Sequence, residues 1–312
     1  MLETNVCLVG DALEQLATLP DECVQMCATS PPYWGQRDYN ADGQIGLEST
    51  PDDYIANMVA VFREVRRVIR EDGTLWLNLG DTYATGAGRC ANAGGDSEQK
   101  GLKRGFSQPN RMPIDGLKPK DLVGIPWRVA LALQADGWWL RSDIIWAKPN
   151  PTPSSVVDRP TTAHEYVFLL SKSPRYYYDA DAIAEPSTTA GQVVPLGEKS
   201  MFKGQAKGSG RNPSGNAVAD SWTVKATRNK RSVWTVATGR FSEAHFATMP
   251  LKLAKIMVLA GSKEGDVVLD PFMGSGTTAQ AAQELGRRWL GVELNDDYID
   301  MQKKRTAQQV LL

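Results

Sequence analysis

The sequence predicts an α/β fold, a three-layer domain around a mostly parallel β-sheet. Apolar segments of strand length alternate with amphipathic segments of helix length along most of the 312 residues, and glycine or proline marks the joints. The pattern is clearest at residues 54–69, where apolar side chains recur on one helical face before Asp72-Gly73 and an apolar strand. Such apolar strands are typical of parallel sheets that helices cover on both faces.

Each element is predicted from the period of its apolar residues and from the residues that bound it. Gly10-Asp11 separates the first strand from the first helix, and Pro20 closes that helix because proline cannot continue it. Strands are predicted at residues 6–9, 24–28, 74–79, 138–146, 165–171, 267–269 and 289–293. Helices are predicted at residues 12–19, 54–69, 125–135, 250–260, 277–285 and from about residue 297.

Two irregular stretches interrupt this alternation. Residues 86–120 are rich in Gly and Asn with Lys and Arg, and residues 188–232 are rich in Gly, Ser, Asn and Lys. Both are longer than ordinary connections between elements, so we expect them to be functional or mobile loops.

The second stretch carries positive charge that the net charge of −1 hides. Between residues 199 and 231, eight Lys and Arg side chains stand against one acid, Asp220. The last four cations are the candidate phosphate contacts, since such side chains displace counterions condensed on a nucleic acid: Lys225, Arg228, Lys230 and Arg231. A solvated loop explains the same charges equally well, so charge alone does not decide between the two.

The cysteine and histidine content argues against a metal site. The four cysteines, Cys7, Cys23, Cys27 and Cys90, lack CxxC spacing, and the chain has only two histidines. We therefore expect reduced, buried thiols. No apolar run reaches the roughly 18 residues of a membrane span, and no basic-then-apolar leader opens the chain, so a cytoplasmic protein is predicted.

Residues 267–278 predict a cofactor site at a strand-to-helix turn. The apolar strand is followed by Asp270-Pro271-Phe272-Met273-Gly274-Ser275-Gly276 and a helix that begins at Thr277. Glycines let the backbone approach a ligand, and the N–H groups of a helix N-terminus attract a carboxylate. Glu293 ends the next strand about twenty residues later, where a carboxylate can accept from ribose hydroxyls. The sequence lacks Gly-x-x-x-x-Gly-Lys-Ser/Thr, which disfavours a nucleoside triphosphate.

Ser30-Pro31-Pro32-Tyr33 is the candidate catalytic segment, because it follows a buried strand at the sheet edge where ligands bind. The two prolines stiffen the backbone and remove two N–H donors, which leaves carbonyl acceptors. An amine substrate donates two hydrogen bonds, for which the Ser30 hydroxyl and the Pro31 carbonyl are two acceptors. Tyr33 offers an aromatic face for stacking. Taken alone, the segment is as consistent with a rigid structural turn as with a catalytic segment.

Together the two motifs resemble those of the beta class of amino-methylating DNA methyltransferases, over nearly the whole chain outside the two irregular stretches. Asp270-Pro271-Phe272-Met273-Gly274-Ser275-Gly276-Thr277-Thr278 is similar to their S-adenosylmethionine motif, and Ser30-Pro31-Pro32-Tyr33 to their catalytic motif. The resemblance implies a Rossmann-like methyltransferase fold and S-adenosylmethionine as cofactor. It assigns Asp270, Phe272, Gly274, Gly276 and Thr277 to the methionine end, Glu293 to the ribose and Asp11 to the adenosine.

The order of the motifs has implications for DNA binding. The catalytic motif precedes the cofactor motif, and the basic stretch lies between them, where the beta class has its target-recognition region. The resemblance thus divides the methyltransferase domain into a catalytic part (residues 1–187), a target-recognition insert (188–232) and a cofactor-binding part (233–312). It implies double-stranded DNA as substrate, with the target base flipped out to reach the pocket, and a prokaryotic or phage origin. It leaves open whether the protein forms a homodimer and whether it has a cognate restriction endonuclease as partner.

Several alternatives stay open at this stage. Serine before the two prolines is commoner among N4-cytosine members of the family and aspartate among N6-adenine members, so cytosine N4 is preferred over adenine N6. Methylation of RNA or of a protein amide is disfavoured by the basic insert. A DNA-binding module without catalysis requires a damaged motif, and both motifs are intact. His164 and Glu165 are expected to serve structure or DNA contact, and His245 to be a cap or core residue.

Overall fold

The computed structural model describes residues 2–36, 38–39, 41–84, 116–195, 221–239 and 249–307. Its first elements are β1 (Val6–Val9), α1 (Ala12–Ala17), β2 (Val24–Thr29), α2 (Pro51–Val68), β3 (Ile69–Leu79), α3 (Ile125–Ala135), β4 (Trp139–Ala147) and β5 (His164–Ser171). They are followed by β6 (Glu185–Pro186), β7 (Val193–Pro195), β8 (Ser221–Thr223), β9 (Thr227–Arg228), β10 (Val233–Thr235), α4 (Leu251–Gly261), β11 (Val267–Asp270), α5 (Thr277–Glu284), β12 (Arg288–Glu293) and α6 (Asp297–Ala307).

Capping interactions move two helix ends away from the predicted positions. Helix α1 ends at Ala17 rather than at residue 19, because the hydroxyl and the N–H of Thr18 both donate back to the Gln15 carbonyl, at 2.7 and 3.1 Å. Helix α2 begins at Pro51, three residues before the predicted start. There the Thr50 hydroxyl accepts from the Asp53 N–H at 3.1 Å, which satisfies one N–H of the first turn.

The strands also differ from the prediction, at the start of β3 and in five short strands. Strand β3 starts at Ile69, directly after α2, so Gly73 lies within the strand rather than between helix and strand. A Cβ at Gly73 would stand 2.1 Å from Ile69 Cγ2, so the irregular pairing with β2 requires glycine. Strands β6 to β10 were not predicted, since their two or three residues are too few to show a period.

Eight strands form one sheet in the order β1-β12-β11-β2-β3-β5-β4-β10. All neighbouring strands are parallel except β5, which is antiparallel to both β3 and β4. The predicted mostly parallel sheet is therefore confirmed. Because β11 and β2 are neighbours, the segments that follow them, residues 271–276 and 30–33, leave the sheet side by side at its carboxyl edge.

Helices cover both faces of this sheet, as the predicted three layers require. Leu75 and Leu77 of β3 belong to a buried cluster that includes side chains of α1, α2 and α3. Trp76 points to the opposite face, as alternation in a strand demands. There α4 packs so closely that a Cβ at Gly261 would lie 2.8 Å from Trp76 Nε1 and 2.9 Å from Met26 Sδ.

Residues 180–231 form a compact unit of their own. Its described residues make two short antiparallel ribbons, β6 with β9 and β7 with β8. The predicted insert, residues 188–232, overlaps this unit but begins later. Most of the other irregular stretch, residues 86–120, lies outside the described residues.

The expectation of buried thiols is right for one of the three described cysteines. Cys27 in the central strand β2 is fully buried, whereas Cys7, in the edge strand β1, and Cys23, in the turn before β2, are partly exposed. Burial raises the pKa of Cys7 to about 12. Cys90 lies outside the described residues. Within the described ranges, no helix is both long and apolar enough to cross a membrane.

Candidate active site and cofactor pocket

The turn between β11 and α5 has a backbone shape that requires its two glycines. Gly274 and Gly276 have φ angles of 51° and 85°, in the left-handed region that favours glycine. At Gly276 there is also little space, because a Cβ would lie 3.1 Å from the Gln302 side chain of α6. The turn is therefore specified by sequence and held from behind by the last helix.

This turn also fits an anionic ligand group. None of the described side chains caps the N-terminus of α5, so its first N–H groups and positive dipole end face the turn. The hydroxyl of Ser275 is buried and has no hydrogen-bond partner among the described residues. Unsatisfied buried donors beside a helix N-terminus suit a bound carboxylate.

Glu293 lies at the end of β12, next to the turn. Its Oε2 accepts from the Gly274 N–H at 2.7 Å, and its Oε1 accepts from the Asn295 N–H at 2.9 Å. Burial is the main cause that raises the pKa of this carboxyl, and the nearby charge of Asp270 adds to it. The side chain lines the pocket with its orientation fixed by backbone donors.

Asp270 is buried, and its carboxylate accepts hydrogen bonds from three groups of the protein. Its Oδ1 accepts from the Thr29 hydroxyl at 2.6 Å and from the Phe272 N–H at 3.0 Å, and its Oδ2 accepts from the Thr278 hydroxyl at 2.7 Å. Burial raises the pKa of this carboxyl. Asp270 thus joins the end of β2 to the cofactor turn, so its removal should cost stability as well as ligand binding.

Asp11 and Phe272 lie at the wall of the same pocket. The Oδ1 atom of Asp11 accepts from the N–H groups of Leu13 and Glu14, at 2.9 and 3.1 Å, and so caps α1. Phe272 is partly buried against the main core. Their contacts with adenosine and methionine stay predictions.

Two carbonyls of the Ser30–Tyr33 segment accept hydrogen bonds within the protein, those of Pro32 and Tyr33. The Gln36 N–H donates to the Tyr33 carbonyl at 3.2 Å. The Tyr54 hydroxyl donates to the Pro32 carbonyl at 2.9 Å, which holds the segment against α2. The ring of Tyr33 lies against the backbone of Gly80, where a Cβ would come within 2.6 Å of ring atom Cε2. Gly80, which follows β3, is therefore needed for the tyrosine to occupy this position.

A directed chain of hydrogen bonds runs through the catalytic segment. The Ser30 hydroxyl donates to the Tyr33 oxygen at 3.3 Å, and the Tyr33 hydroxyl donates to Glu165 Oε2 at 2.7 Å. Asn78 Nδ2 donates to the same Oε2 at 3.1 Å, and Lys148 forms a short ion pair with Oε1. Burial and the Glu165 charge raise the pKa of Tyr33 well above its ordinary value, so its proton stays in place.

Sequence reasoning missed Asn78 and Lys148 and left Glu165 without a specific role. One signal was available for Asn78, a polar residue between Leu77 and Leu79 in an otherwise apolar strand. Buried amides are normally hydrogen-bonded, so such a residue points to a polar partner inside the fold. His164 lies beside Glu165 on the exposed start of β5, with its ring edge-on to Tyr166 at 5.4 Å. His245 lies outside the described residues.

One cavity of about 390 Å³ brings both candidate sites together. The predicted residues that line it are Asp11, Ser30, Pro31, Pro32, Tyr33, Asp270, Phe272, Gly274, Thr277 and Glu293. Gly276 stands at the end of the same turn. The size of the cavity is within the range of small-molecule sites. The cavity places the glycine turn beside the hydroxyl and carbonyl oxygens of the Ser30–Tyr33 segment.

The predicted DNA-contacting cations lie in the unit of residues 180–231. Arg228 Nε and Arg231 Nε both donate to Glu185 Oε1, at 2.8 and 2.6 Å. The sequence count of one acid in the basic segment missed this partner, because Glu185 precedes the segment that was counted. Lys225 is exposed and Lys230 half-buried. The cations between residues 199 and 211 lie outside the described residues.

The sheet order, the glycine turn and the cavity agree with what the resemblance implies for an S-adenosylmethionine-dependent methyltransferase. The N6/N4 methyltransferase family model, described as DNA methylase, matches residues 24–304. The chain belongs to this family of DNA methyltransferases, and its cofactor is S-adenosylmethionine.

Named relatives are similar along their length. Type II methyltransferase M.SmaI of Serratia marcescens is 44% identical over 312 residues, which cover 99% of this chain and 94% of the relative. Type II methyltransferase M.Cfr9I of Citrobacter freundii is 44% identical over 297 residues, with coverage of 95% and 85%.

Solved structures show the same fold at low identity. A Thermus thermophilus protein assigned as a DNA modification methylase, complexed with S-adenosyl-L-methionine, matches with a TM-score of 0.59 at 24% identity, covering 98% of this chain and 95% of that one. PvuII DNA methyltransferase (cytosine-N4-specific) matches with a TM-score of 0.64 at 18% identity, with coverage of 98% and 87%. The predicted Rossmann-like methyltransferase fold is confirmed.

Proposed function

We propose that this enzyme methylates the N4 amino nitrogen of a cytosine that has left the DNA duplex at a specific sequence. Bound S-adenosylmethionine supplies the methyl group. Gly274, Gly276 and Thr277 would hold its methionine end, and Glu293 its ribose. The remaining chemistry belongs to the Ser30–Tyr33 segment, which has to accept the amine's hydrogens.

The observation that carries this proposal is the direction of the hydrogen bonds around Ser30. The Glu165 carboxylate can only accept, so the Tyr33 hydroxyl donates to it and the Tyr33 oxygen is left to accept from Ser30. The Ser30 proton is thereby turned away from the amine, and lone pairs of its oxygen can face the substrate. Ser30 is set as an acceptor, which is the role that an amino group requires.

The second acceptor is a backbone carbonyl. The Pro32 carbonyl already accepts from Tyr54, so we assign the second hydrogen of the amine to the Pro31 carbonyl. Two fixed acceptors favour the tetrahedral nitrogen that develops in the transition state. The methylated nitrogen is acidic enough to release its proton to water, so no side chain has to serve as a base. The Tyr33 ring would stack on the flipped base.

The choice of cytosine over adenine depends on the type of acceptor. Ser30 is neutral, and the nearby Glu165 carboxylate is engaged by Lys148, Asn78 and Tyr33 rather than presented to the substrate. In this family, serine at this place is commoner among N4-cytosine enzymes. Adenine N6 is the alternative, because its amino group is also conjugated to a ring and needs the same two acceptors.

Mass spectrometry of nucleosides identifies the product directly. DNA incubated with the protein and S-adenosylmethionine should yield N4-methylcytosine, and the Ser30→Ala variant is the control that should yield little. N6-methyladenine as the sole product would replace cytosine by adenine and leave the acceptor arrangement standing. 5-Methylcytosine would refute the arrangement itself, because that reaction takes place on a ring carbon rather than on an amine.

We also propose that residues 188–232 read the DNA sequence, between a catalytic part (1–187) and a cofactor-binding part (233–312). Support comes from the separate compactness of residues 180–231 and from the cations they carry. Lys225, Arg228, Lys230 and Arg231 would contact phosphates, which position a protein on DNA without specifying bases.

A further inference from the structure

Residues 148–163 connect β4 to β5 as one long exposed segment. Two consecutive apolar side chains lie at its middle: Val156 is 40% exposed and Val157 is 97% exposed. Single exposed apolar residues are common on protein surfaces. A pair of valines in the middle of a long active-site segment is different, because long loops in compact domains are usually functional.

The segment is fixed on both sides of the two valines. On the C-terminal side, Asp158 forms an ion pair with Lys120 at 2.7 Å, and the Arg159 guanidinium lies 3.7 Å from the centre of the Tyr83 ring. On the N-terminal side, Asn150 Oδ1 accepts from the Thr238 N–H at 3.0 Å. These contacts hold the two valines out in solvent, and branching at Cβ limits their rotamers.

The segment stands at the rim of the catalytic cavity. Lys148, Thr152 and Thr238 line that cavity, and Lys148 pairs with Glu165 in the hydrogen-bond chain behind Ser30. Because β5 is antiparallel to β4 and β3, the segment lies at the sheet edge where Ser30 leaves β2. Val157 follows Thr152 by five residues, so it is within roughly 17 Å of the cavity wall.

DNA is the partner that matches this place. A base that enters the cavity leaves a gap in the duplex, and neighbouring bases resist unstacking. Proteins that distort DNA insert apolar side chains between base steps, at the cost of the stacking they displace. Two exposed valines at the rim of the cavity are apolar, have few rotamers and lie where they could insert between base steps next to the target base.

We propose that Val156 and Val157 form a wedge that enters the duplex beside the target base and stabilises its flipped state. This inference rests on the proposed function, in that it requires the base to leave the duplex. The wedge would act on the paired state of DNA, so its contribution should vanish when the target base is already unpaired.

The test compares the double variant Val156→Ser/Val157→Ser with the wild type on two duplexes. Both carry the sequence that the enzyme methylates, mapped beforehand by sequencing its methylated DNA, and in one of them the target base faces a mismatch. We expect kcat/KM on the paired duplex to fall by about tenfold or more, and on the mismatched duplex by less than about twofold. S-adenosylmethionine affinity and the melting temperature should not change, since both valines are exposed.

Two further variants bracket the result. Val157→Leu keeps an apolar tip and should retain most activity on the paired duplex. Leu131→Ser removes a comparably exposed apolar side chain, 52% exposed on α3, and should have no effect on either duplex. Equal losses of the double variant on both duplexes, or no loss on the paired one, would overturn the wedge.

A fluorescent base analogue at the target position separates failure of the wedge from failure of base flipping. Wild-type protein should brighten the analogue, and the double variant should do so less. If the wild type itself leaves the fluorescence unchanged and shows no preference for mismatched DNA, the base does not flip and the proposed function fails. If the wild type and the variant brighten the analogue equally, flipping stands and the wedge fails.

Discussion

At the scale of single residues, the proposed role of the Ser30–Tyr33 segment depends on the acceptor to which each hydroxyl donates its proton. Ser30 and Tyr33 are both able to donate or accept, and Glu165 decides between these roles because an ionised carboxylate only accepts. An amide in place of Glu165 can donate to the Tyr33 oxygen and reverse the chain. Ser30 would then direct its proton toward the substrate amine, where an acceptor is needed.

The first prediction follows from this reversal. Glu165→Gln should lower kcat by about 10²-fold, as removal of one transition-state hydrogen bond does, with little change in S-adenosylmethionine affinity. Ser30→Ala should lose about as much, and the double variant little more, since both act through one chain. Glu165→Asp, which keeps the carboxylate, should recover part of the rate. A loss for Glu165→Gln that appears in cofactor affinity and melting temperature alone would indicate a purely structural role.

The second prediction concerns pH and Glu293. Its pKa in the folded protein is raised above the ordinary 4.5. Ribose hydroxyls donate more strongly to the ionised form, whose two oxygens both accept. S-adenosylmethionine affinity should therefore weaken as the pH falls from neutral toward that raised pKa, and Glu293→Gln should bind more weakly but with a flatter pH profile. Isothermal calorimetry at several pH values measures both. A wild-type profile as flat as that of the variant would exclude this role.

The raised pKa of Glu293 also makes the stability of the ligand-free protein depend on pH, in the direction opposite to that of cofactor affinity. Because the folded state holds the Glu293 proton more tightly than the unfolded chain does, this group favours folding most below pH 4.5. That contribution is lost as the pH rises through the raised pKa. Bound cofactor should thus stabilise the protein more strongly at neutral pH than under mildly acidic conditions.

At the scale of elements, the last helix supports the cofactor turn. Arg305 of α6 donates to the Thr277 hydroxyl at 2.6 Å, and Gln302 donates to the Gly274 carbonyl at 2.7 Å. A threonine oxygen that accepts from a guanidinium has its proton left to donate elsewhere. Thr277 lines the cavity. We therefore propose that α6 orients this hydroxyl to donate to the carboxylate of S-adenosylmethionine.

The third prediction separates this contact from general support. Arg305→Met and Thr277→Val should each weaken S-adenosylmethionine binding by about tenfold, the value of a hydrogen bond to a charged group. Binding of 5′-methylthioadenosine, which lacks the carboxylate, should change by less than about twofold. Lys303→Met, on the exposed side of α6, is the control. An equal loss for both ligands would show that Arg305 only supports the fold.

The fourth prediction belongs to the unit of residues 180–231. Replacing Lys225, Arg228, Lys230 and Arg231 with Ala should weaken DNA binding and flatten its salt dependence, since each phosphate contact adds about 0.9 to the slope. Arg228 and Arg231 share Glu185, so the part of each should be smaller than that of the exposed Lys225. Lys303→Ala/Lys304→Ala on α6 removes charge of the same sign from another element. An unchanged slope in the fourfold variant would exclude this segment as the DNA surface.

At the scale of the whole molecule, one buried carboxylate couples the two halves of the site. Asp270 accepts from Thr29, which precedes the catalytic segment, and from Thr278 of α5. The fifth prediction is that Asp270→Ala lowers the free energy of unfolding by about 2–4 kcal/mol, because buried donors lose their acceptor. It should also abolish cofactor binding. Urea unfolding measures the first effect and calorimetry the second, and Asp270→Asn should be milder since one acceptor remains.

The elements of the fold were largely predictable because their signals are local. Residues 6–9 and 125–135 were predicted with the bounds that the structure shows, since apolar period and flanking turn residues lie within one short window. Strand β10 was missed because three residues are too few to show a period. The start of β3 at Ile69 was missed because Gly73 resembles a break between helix and strand, whereas in the fold it lies within the strand and allows an irregular pairing with β2.

The sequence by itself determined the layered α/β fold, the glycine turn after β11 and the rigid Ser30–Tyr33 segment, because glycine, proline and apolar spacing act on the chain next to them. Only the tertiary structure decided what these residues contact. Tyr33 meets Glu165 across 132 positions of sequence, and Thr29 meets Asp270 across 241. Such partners depend on strand order and register, which bring distant carboxylates and hydroxyls together. The direction of each hydrogen bond depends on which distant residue is the partner, so it cannot be predicted from either segment alone.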